Sequence, residues 1–188
     1  MPHKFVALDI GGVCLQIFRE KFFPRRLLET PPAALIELET AFECGRISAA
    51  EWLPRIRELM PALQQLPAPE CWRRFRSIVG PEVPGIAALT SRWVSQGLRV
   101  IFFSNTSCVH ADEVWRNISF GGQIADAVYS YEAGFMKPAP EIYRCFEQRF
   151  GVPELYLDDN AENIRAARQL GWENARLFTG TSALLQEN

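Results

Sequence analysis

From Pro84 onward the chain alternates short β-rich runs with amphipathic helical patterns, and this rhythm constrains its fold more than any other feature. The run "GIAALTSRWVSQG" has helical periodicity with a glycine stop at Gly97, and "LRVIFFS" has the continuous apolar character of a buried strand. The alternation continues through "DAVYSY" as a strand, "APEIYRCFEQRFG" as a helix, "ELYLDD" as a strand, "AENIRAARQLG" as a helix and "ARLFTG" as a last strand. Helices between successive strands imply parallel strands joined by right-handed crossovers, hence an α/β fold built on a Rossmann-like parallel sheet. The run "KFVALD" belongs with these strands but stands apart from them in the sequence.

The separating stretch, residues 17 to 82, shows only helical patterns, punctuated by "FFP", "TPP", "CGR", "LPAP" and "VGPEVPG". Within it "SAAEWLPRIRELM" opens on a capping box, with Ser48 as cap and Glu51 three residues on. The Pro-rich joints at 61–69 and 79–84 read as turns and a domain boundary. The expected organisation is a core from 1–15 and 83–188, with a helical subdomain at 16–82 lying over the strand ends as a lid. Phe22, Phe23, Trp52, Trp72 and Phe75 are expected to form its core.

Composition narrows the function classes. With 188 residues and 48% hydrophobic content the chain can bury a substantial core. Lys+Arg 20 against Asp+Glu 22 gives a formal charge of -2, so no global field recruits nucleic acid or an anionic membrane, and any phosphate site must be local. The five cysteines are scattered without a CxxC pair, which suits reduced thiols and a cytoplasmic location. The segment "MPHKFVALDIGG" lacks the pattern of a signal peptide, and no uncharged apolar run approaches 18 residues. A monomer or homodimer is expected.

In an open parallel sheet, ligands bind beyond the carboxyl ends of the strands. Four polar clusters fall at such ends: Asp9 after "FVAL", Ser104 and Asn105 after "VIFF", Lys137 shortly after "VYSY", and Asp158 with Asp159 after "LYL". Each alone has a local reading as a turn former, a helix cap or a surface charge. Together they describe one site. Converging carboxylates repel one another and are most simply stabilised by Mg²⁺, a hard cation taking oxygen ligands. Such a cation, with Lys137, would also offset the repulsion between Asp9 and a phosphate dianion. Ser104 and Asn105 offer hydroxyl and amide donors to phosphate oxygens, while Gly11 and Gly12 permit close approach of the backbone. A small phosphorylated metabolite is the partner this chemistry fits.

The sequence resembles the haloacid dehalogenase-like hydrolase superfamily in four motifs taken in order: "ALDIGGV", "VIFFSNTS", "GFMKPAPEIY" and "LYLDDNAENIRAARQLG". Within it, "SNT", "GFMKP" and "DDNAEN" are most similar to the small sugar-phosphatase branch that includes glucose-1-phosphate phosphatases. The resemblance implies that Asp9 is the aspartyl nucleophile and a metal ligand, and that Gly11 offers its carbonyl to the metal. It implies phosphate binding by Ser104 and Asn105, charge balance by Lys137, and direct metal ligation by Asp159 with Asp158 beside it. Asn163 matches an outer polar position where many members carry an acid.

One position departs from the pattern. Active phosphatases of the superfamily usually carry a second aspartate two residues after the nucleophile, and here that residue is Gly11. Loss of a general acid or base lowers a rate by about 10²–10⁴. A selective phosphatase with another proton source and a silent phosphate-binding or regulatory protein both remain open, with a haloacid dehalogenase or a phosphomutase behind them. In "FECGRIS" the glycine turn would bring Arg46 to the substrate, or else Arg46 is an ordinary surface residue.

Overall fold

The structure is a computed structural model that describes residues 4–186, so 1–3 and 187–188 of the expected core range lie outside the described residues. In chain order the strands are β1 (Phe5–Leu8), β2 (Leu15–Ile17), β3 (Val79–Glu82), β4 (Arg99–Ser104), β5 (Ile124–Tyr129), β6 (Leu155–Asp158) and β7 (Ala175–Leu177). The α-helices are α1 (Arg25–Glu29), α2 (Ala33–Glu43), α3 (Ala49–Leu59), α4 (Ala68–Arg76), α5 (Ile86–Ser95), α6 (Cys108–Asn117), α7 (Ser130–Ala133), α8 (Pro140–Phe150), α9 (Ala161–Gln169) and α10 (Ser182–Gln186).

Strands β1, β4 and β6 are continuously apolar because both faces of their sheet are covered. Phe5, Ala7, Ile101, Phe103 and Tyr156 pack with Ile142, Tyr143 and Phe146 of α8 and Ile164 of α9. The alternate residues Val6, Leu8, Val100, Phe102 and Leu157 pack with Ile86, Leu89 and Trp93 of α5 and Val114 of α6. This period-2 division places one helical layer on each face. The sheet is parallel throughout, in the order β5-β4-β1-β6-β7. From β1 the chain first builds outward through β4 and β5, then crosses to lay β6 and β7 on the other side. The strand order therefore reverses between β1 and β6, where the carboxyl ends open a crevice.

Helices α1 to α4 surround their own apolar cluster. Trp52 lies at its centre, with ring centroids 4.4 Å from Phe75 and 5.0 Å from Phe42. Phe22, Phe23, Trp52 and Phe75 are buried there, with Trp72 packed against them. The capping box on α3 is formed: Glu51 N–H donates to Ser48 Oγ at 3.3 Å, and Ser48 N–H donates to Glu51 Oε2 at 2.8 Å.

The reading of 17–82 as strand-free is corrected by a two-stranded antiparallel ribbon, in which Leu15 pairs with Glu82 and Ile17 with Val79. Residues 79–82, expected to be a turn, form its second strand. The two strands have three and four residues, one interrupted by Gly80 and Pro81, too short and irregular for a period-2 signal. Gly80 is required because a Cβ there would stand 2.4 Å from the Phe18 ring. Likewise "DAVYSY" ends as a strand at Tyr129, and Ser130 opens the short helix α7. Among the described residues no helix is long and apolar enough to cross a membrane.

Candidate active site

Lys137 ties the ends of three adjacent strands together. Its Nζ donates to Phe103 O at 2.7 Å, to Asp9 Oδ1 at 3.0 Å and to Asp158 Oδ2 at 2.7 Å, from β4, the end of β1 and β6 respectively. An ammonium has three hydrogens, and all three have acceptors. The side chain is 1% exposed, Asp158 0% and Asp9 12%, so Asp9 is the member of this cluster open to solvent. No described residue hydrogen-bonds Asp9 Oδ2. Asp9 N–H donates to Leu157 O at 2.9 Å, and Cys14 Sγ donates to Asp9 O at 3.2 Å, fixing the backbone on both sides.

Asp158 is saturated. Besides Lys137 it accepts from Tyr156 Oη at 2.5 Å, from Asn160 N–H at 2.8 Å, and from Asn163 Nδ2, which lies 3.1 Å from each carboxylate oxygen. Asn163 therefore contributes an amide donor where an acid would add a further negative charge. Asp159 points out of this network and is exposed. It reaches the site because the neighbouring residue is Gly12, at φ 73°, where a Cβ would stand 2.0 Å from Asp159 Oδ2. Gly11 is different: a Cβ there would meet the side chain of Ile17, Cγ1 at 3.2 Å and Cδ1 at 3.7 Å, so its lack of a side chain is not enforced by the backbone.

One oxygen from each of Asp9, Asp158 and Asp159 lies within 4.8 Å of the other two. Three carboxylates face one ammonium, an excess of two negative charges that a single divalent cation would cancel. The proton equilibria express this excess. Burial, augmented by Asp158, holds Asp9 above the ordinary carboxylate range against the pull of Lys137. Partial desolvation and then the charge of Asp158 raise Asp159 as well, although its side chain is reached by solvent. For Asp158 burial acts upward, but the charge and hydrogen bonds of Lys137 prevail and hold it low. Burial acts downward on Lys137, and the two carboxylates more than reverse it.

The second strand end is arranged by backbone pairing. Asn105 Nδ2 donates to Lys137 O at 2.8 Å and Asn105 Oδ1 accepts from Lys137 N–H at 2.8 Å. The amide expected to reach for phosphate thus holds the lysine's main chain, leaving one Nδ2 hydrogen. A similar two-way pair joins Ser130 Oγ to Thr106 N–H at 2.9 Å and Thr106 O at 3.1 Å. Ser104 is buried, and with Gly11, Asn105 and Thr106 it lines a cavity of about 110 Å³.

Arg46 is not brought to this cavity. It is exposed, on a turn whose Gly45 abuts the carbonyl of Tyr131, and the arginine that lines the cavity is Arg19. Tyr156, Ser130 and Cys14 take part in the site without having signalled it: Tyr156 reads as strand core, Ser130 as a strand end and Cys14 as packing.

The haloacid dehalogenase-like hydrolase family matches residues 3–171. The chain belongs to that family. Its fold is shared by the HAD family enzyme bt-2542 from Bacteroides thetaiotaomicron, at 22% identity and TM-score 0.83 over 100% of both chains. A complex of that enzyme with magnesium and inorganic phosphate aligns at TM-score 0.80 and 21% identity, over 98% of this chain and 100% of the other. Enolase-phosphatase E1 of Erwinia tasmaniensis is 30% identical over 111 residues, covering 56% of this chain and 48% of that protein. The chain spans about half the length of the curated relatives it matches. This HAD-like hydrolase carries Asp9, with its open carboxylate oxygen, at the reversal point of the sheet.

Proposed function

We propose that this hydrolase is a Mg²⁺-dependent phosphomonoester hydrolase acting on a sugar phosphate or another small phosphorylated metabolite. The observation that carries the reading is the under-neutralised cluster: Asp9 has one oxygen held by Lys137 and one open, in a group of three carboxylates that one ammonium leaves two negative charges in excess. Asp9, Asp159 and the carbonyl of Gly11 would hold the cation, with Asp158 buttressing them through Lys137. The cation supplies charge neutralisation at the phosphoryl oxygens. Its binding by the bt-2542 enzyme, together with phosphate, supports the same assignment here.

Asp9 attacks phosphorus through its open oxygen, the bond from phosphorus to the substrate oxygen breaks, and the alcohol leaves with a proton. Water then attacks the aspartyl-phosphate, the bond from phosphorus to Asp9 breaks, and phosphate departs with the carboxylate restored. Ser104 and the remaining amide hydrogen of Asn105 face the phosphoryl oxygens. Residues 16–82 serve as a cap that excludes water from the site. A silent phosphate binder is the second reading, favoured by the absent side chain at Gly11. A haloacid dehalogenase would share the Asp nucleophile but gains nothing from the extra carboxylates.

Hydrolysis of a panel of sugar phosphates and p-nitrophenyl phosphate, with Mg²⁺ or with chelator, tests the reading. Asp9→Asn should lower kcat by about 10⁴-fold or more, and chelator should remove most of the activity. No turnover above the Asp9→Asn background sinks the hydrolase, and calorimetric binding of inorganic phosphate without turnover establishes the silent protein instead.

A further inference from the structure

The phosphoryl-transfer scheme needs a proton for the leaving oxygen, because an alkoxide is a poor leaving group. At the strand ends the described side chains offer none: Lys137 has committed its hydrogens, Asp158 accepts from Lys137, Tyr156, Asn160 and Asn163, and Gly11 has no side chain. The cavity beside Asn105 has a second wall, made by the helical layer. Among the described residues its titratable groups are Arg19, Glu39, Glu43 and His110. A larger hollow of about 290 Å³ shares Arg19, Glu39 and Glu43 and opens outward from it.

Each candidate can be judged by what it already does. A guanidinium is too weak an acid for the task, which sets Arg19 aside. His110 stacks on Phe75, with centroids 4.1 Å apart, and its Nε2 lies 2.9 Å from Phe75 O. A carbonyl only accepts, so Nε2 carries the hydrogen and is engaged. Burial keeps the ring neutral, pulling its pKa down to about 4. Glu39 accepts from Trp52 Nε1 at 3.0 Å. Glu43 is a turn further along α2, lines the same cavity, and has no hydrogen bond or ion pair with any described residue.

We propose that Glu43 protonates the leaving oxygen and then deprotonates the attacking water, supplying from the helical layer the acid that the strand end lacks. The assignment rests on the phosphatase reading above. In the first half-reaction the carboxyl proton of Glu43 passes to the bridging oxygen as its bond to phosphorus breaks and the bond from Asp9 forms. In the second, Glu43 takes a proton from water as water's oxygen bonds phosphorus and Asp9 is released, returning the acid to its starting state.

Two features prepare Glu43 for the task. Glu39 and Glu43 are four residues apart on one helix face, with Arg19 as the cation beside them, so one charge is balanced and a second is disfavoured. Burial raises both carboxyls, Glu39 to about 7. Position comes from Gly45, whose φ of 65° and close approach to Tyr131 O leave no room for a Cβ. The end of α2 is thereby seated against α7, whose Ser130 holds Thr106 in the cavity wall.

The test is kcat/KM for Glu43→Gln across aryl and alkyl phosphates of rising leaving-group pKa, with Mg²⁺ present, alongside Asp9→Asn. This ratio reports phosphoryl transfer to Asp9. The expected loss is below about tenfold for p-nitrophenyl phosphate, whose phenolate leaves unaided, and rises to about 10²–10⁴ for alkyl phosphates. Glu43→Asp should recover part of the alkyl activity, and an unchanged melting temperature for both variants separates the effect from misfolding. An equal loss across the series, or none, overturns the role of Glu43 while leaving the phosphatase intact. Failure of the wild-type protein to turn over any substrate overturns both.

Discussion

The strand-end cluster and the helical wall facing it are built on opposite principles. All three ammonium hydrogens of Lys137 have acceptors, and the carboxylates they reach sit at the ends of strands of one sheet. On α2, Glu43 has no hydrogen-bond or ion-pair partner among the described residues and Glu39 has one, and both line an open cavity. Under the proposed phosphatase function, the difference separates two tasks. A phosphoryl group has the same shape in every substrate and rewards rigidity, whereas the remainder of the substrate varies and is met by a surface with bonding capacity to spare.

The contrast predicts unequal responses to mutation. Lys137→Met would leave Asp9 and Asp158 buried together without their cation. Urea unfolding in chelator should show a loss of about 3–5 kcal/mol, and added Mg²⁺ should restore part of it. A loss near zero would mean that the cluster is not electrostatically tied. Tyr156→Phe removes one donor from a carboxylate that keeps three others, and should lower stability by about 1.5–3 kcal/mol in the same assay.

The smallest effect belongs to the helical wall and depends on pH. Burial first and Glu43 second hold Glu39 up to about 7 from 4.5, so the folded state favours its protonated form. Stability from this group is complete below about 4.5 and is lost as pH rises through about 7. Glu39→Gln keeps an acceptor for Trp52 without the charge. Relative to wild type it should gain about 1 kcal/mol between pH 5 and pH 8, allowing for screening at a partly exposed site. A difference independent of pH would place Glu39 in solvent rather than in the cavity wall.

The two regions were unequally legible in the sequence for the same physical reason. Asp9, Ser104 and Asp158 end or directly follow an apolar strand, Lys137 lies in the loop after β5 and α7, and the rules of parallel sheets bring strand ends together. Glu39 and Glu43 lie in "AALIELETAFE", where acidic residues between apolar ones read as the solvated side of a helix. Only the docking of α2 over the crevice turns that side inward. Arg46, flagged by its glycine turn, stays outside for a complementary reason: the turn is a tight contact with α7, and its neighbour projects away. The β2–β3 ribbon was hidden because its pairing partners are far apart and its strands too short to alternate.

The bond from Lys137 to Asp9 joins residues 128 positions apart, and Asp158 lies 21 residues beyond the lysine. Contacts of such separation form only after the intervening chain has been organised, at a considerable loop-closure entropy. Until then, Asp9 and Asp158 have no cation between them, and their repulsion opposes the pairing of β1 with β6. The lysine is therefore a latch on assembly, making the completed carboxylate cluster a late consequence of the chain having closed its central crossover.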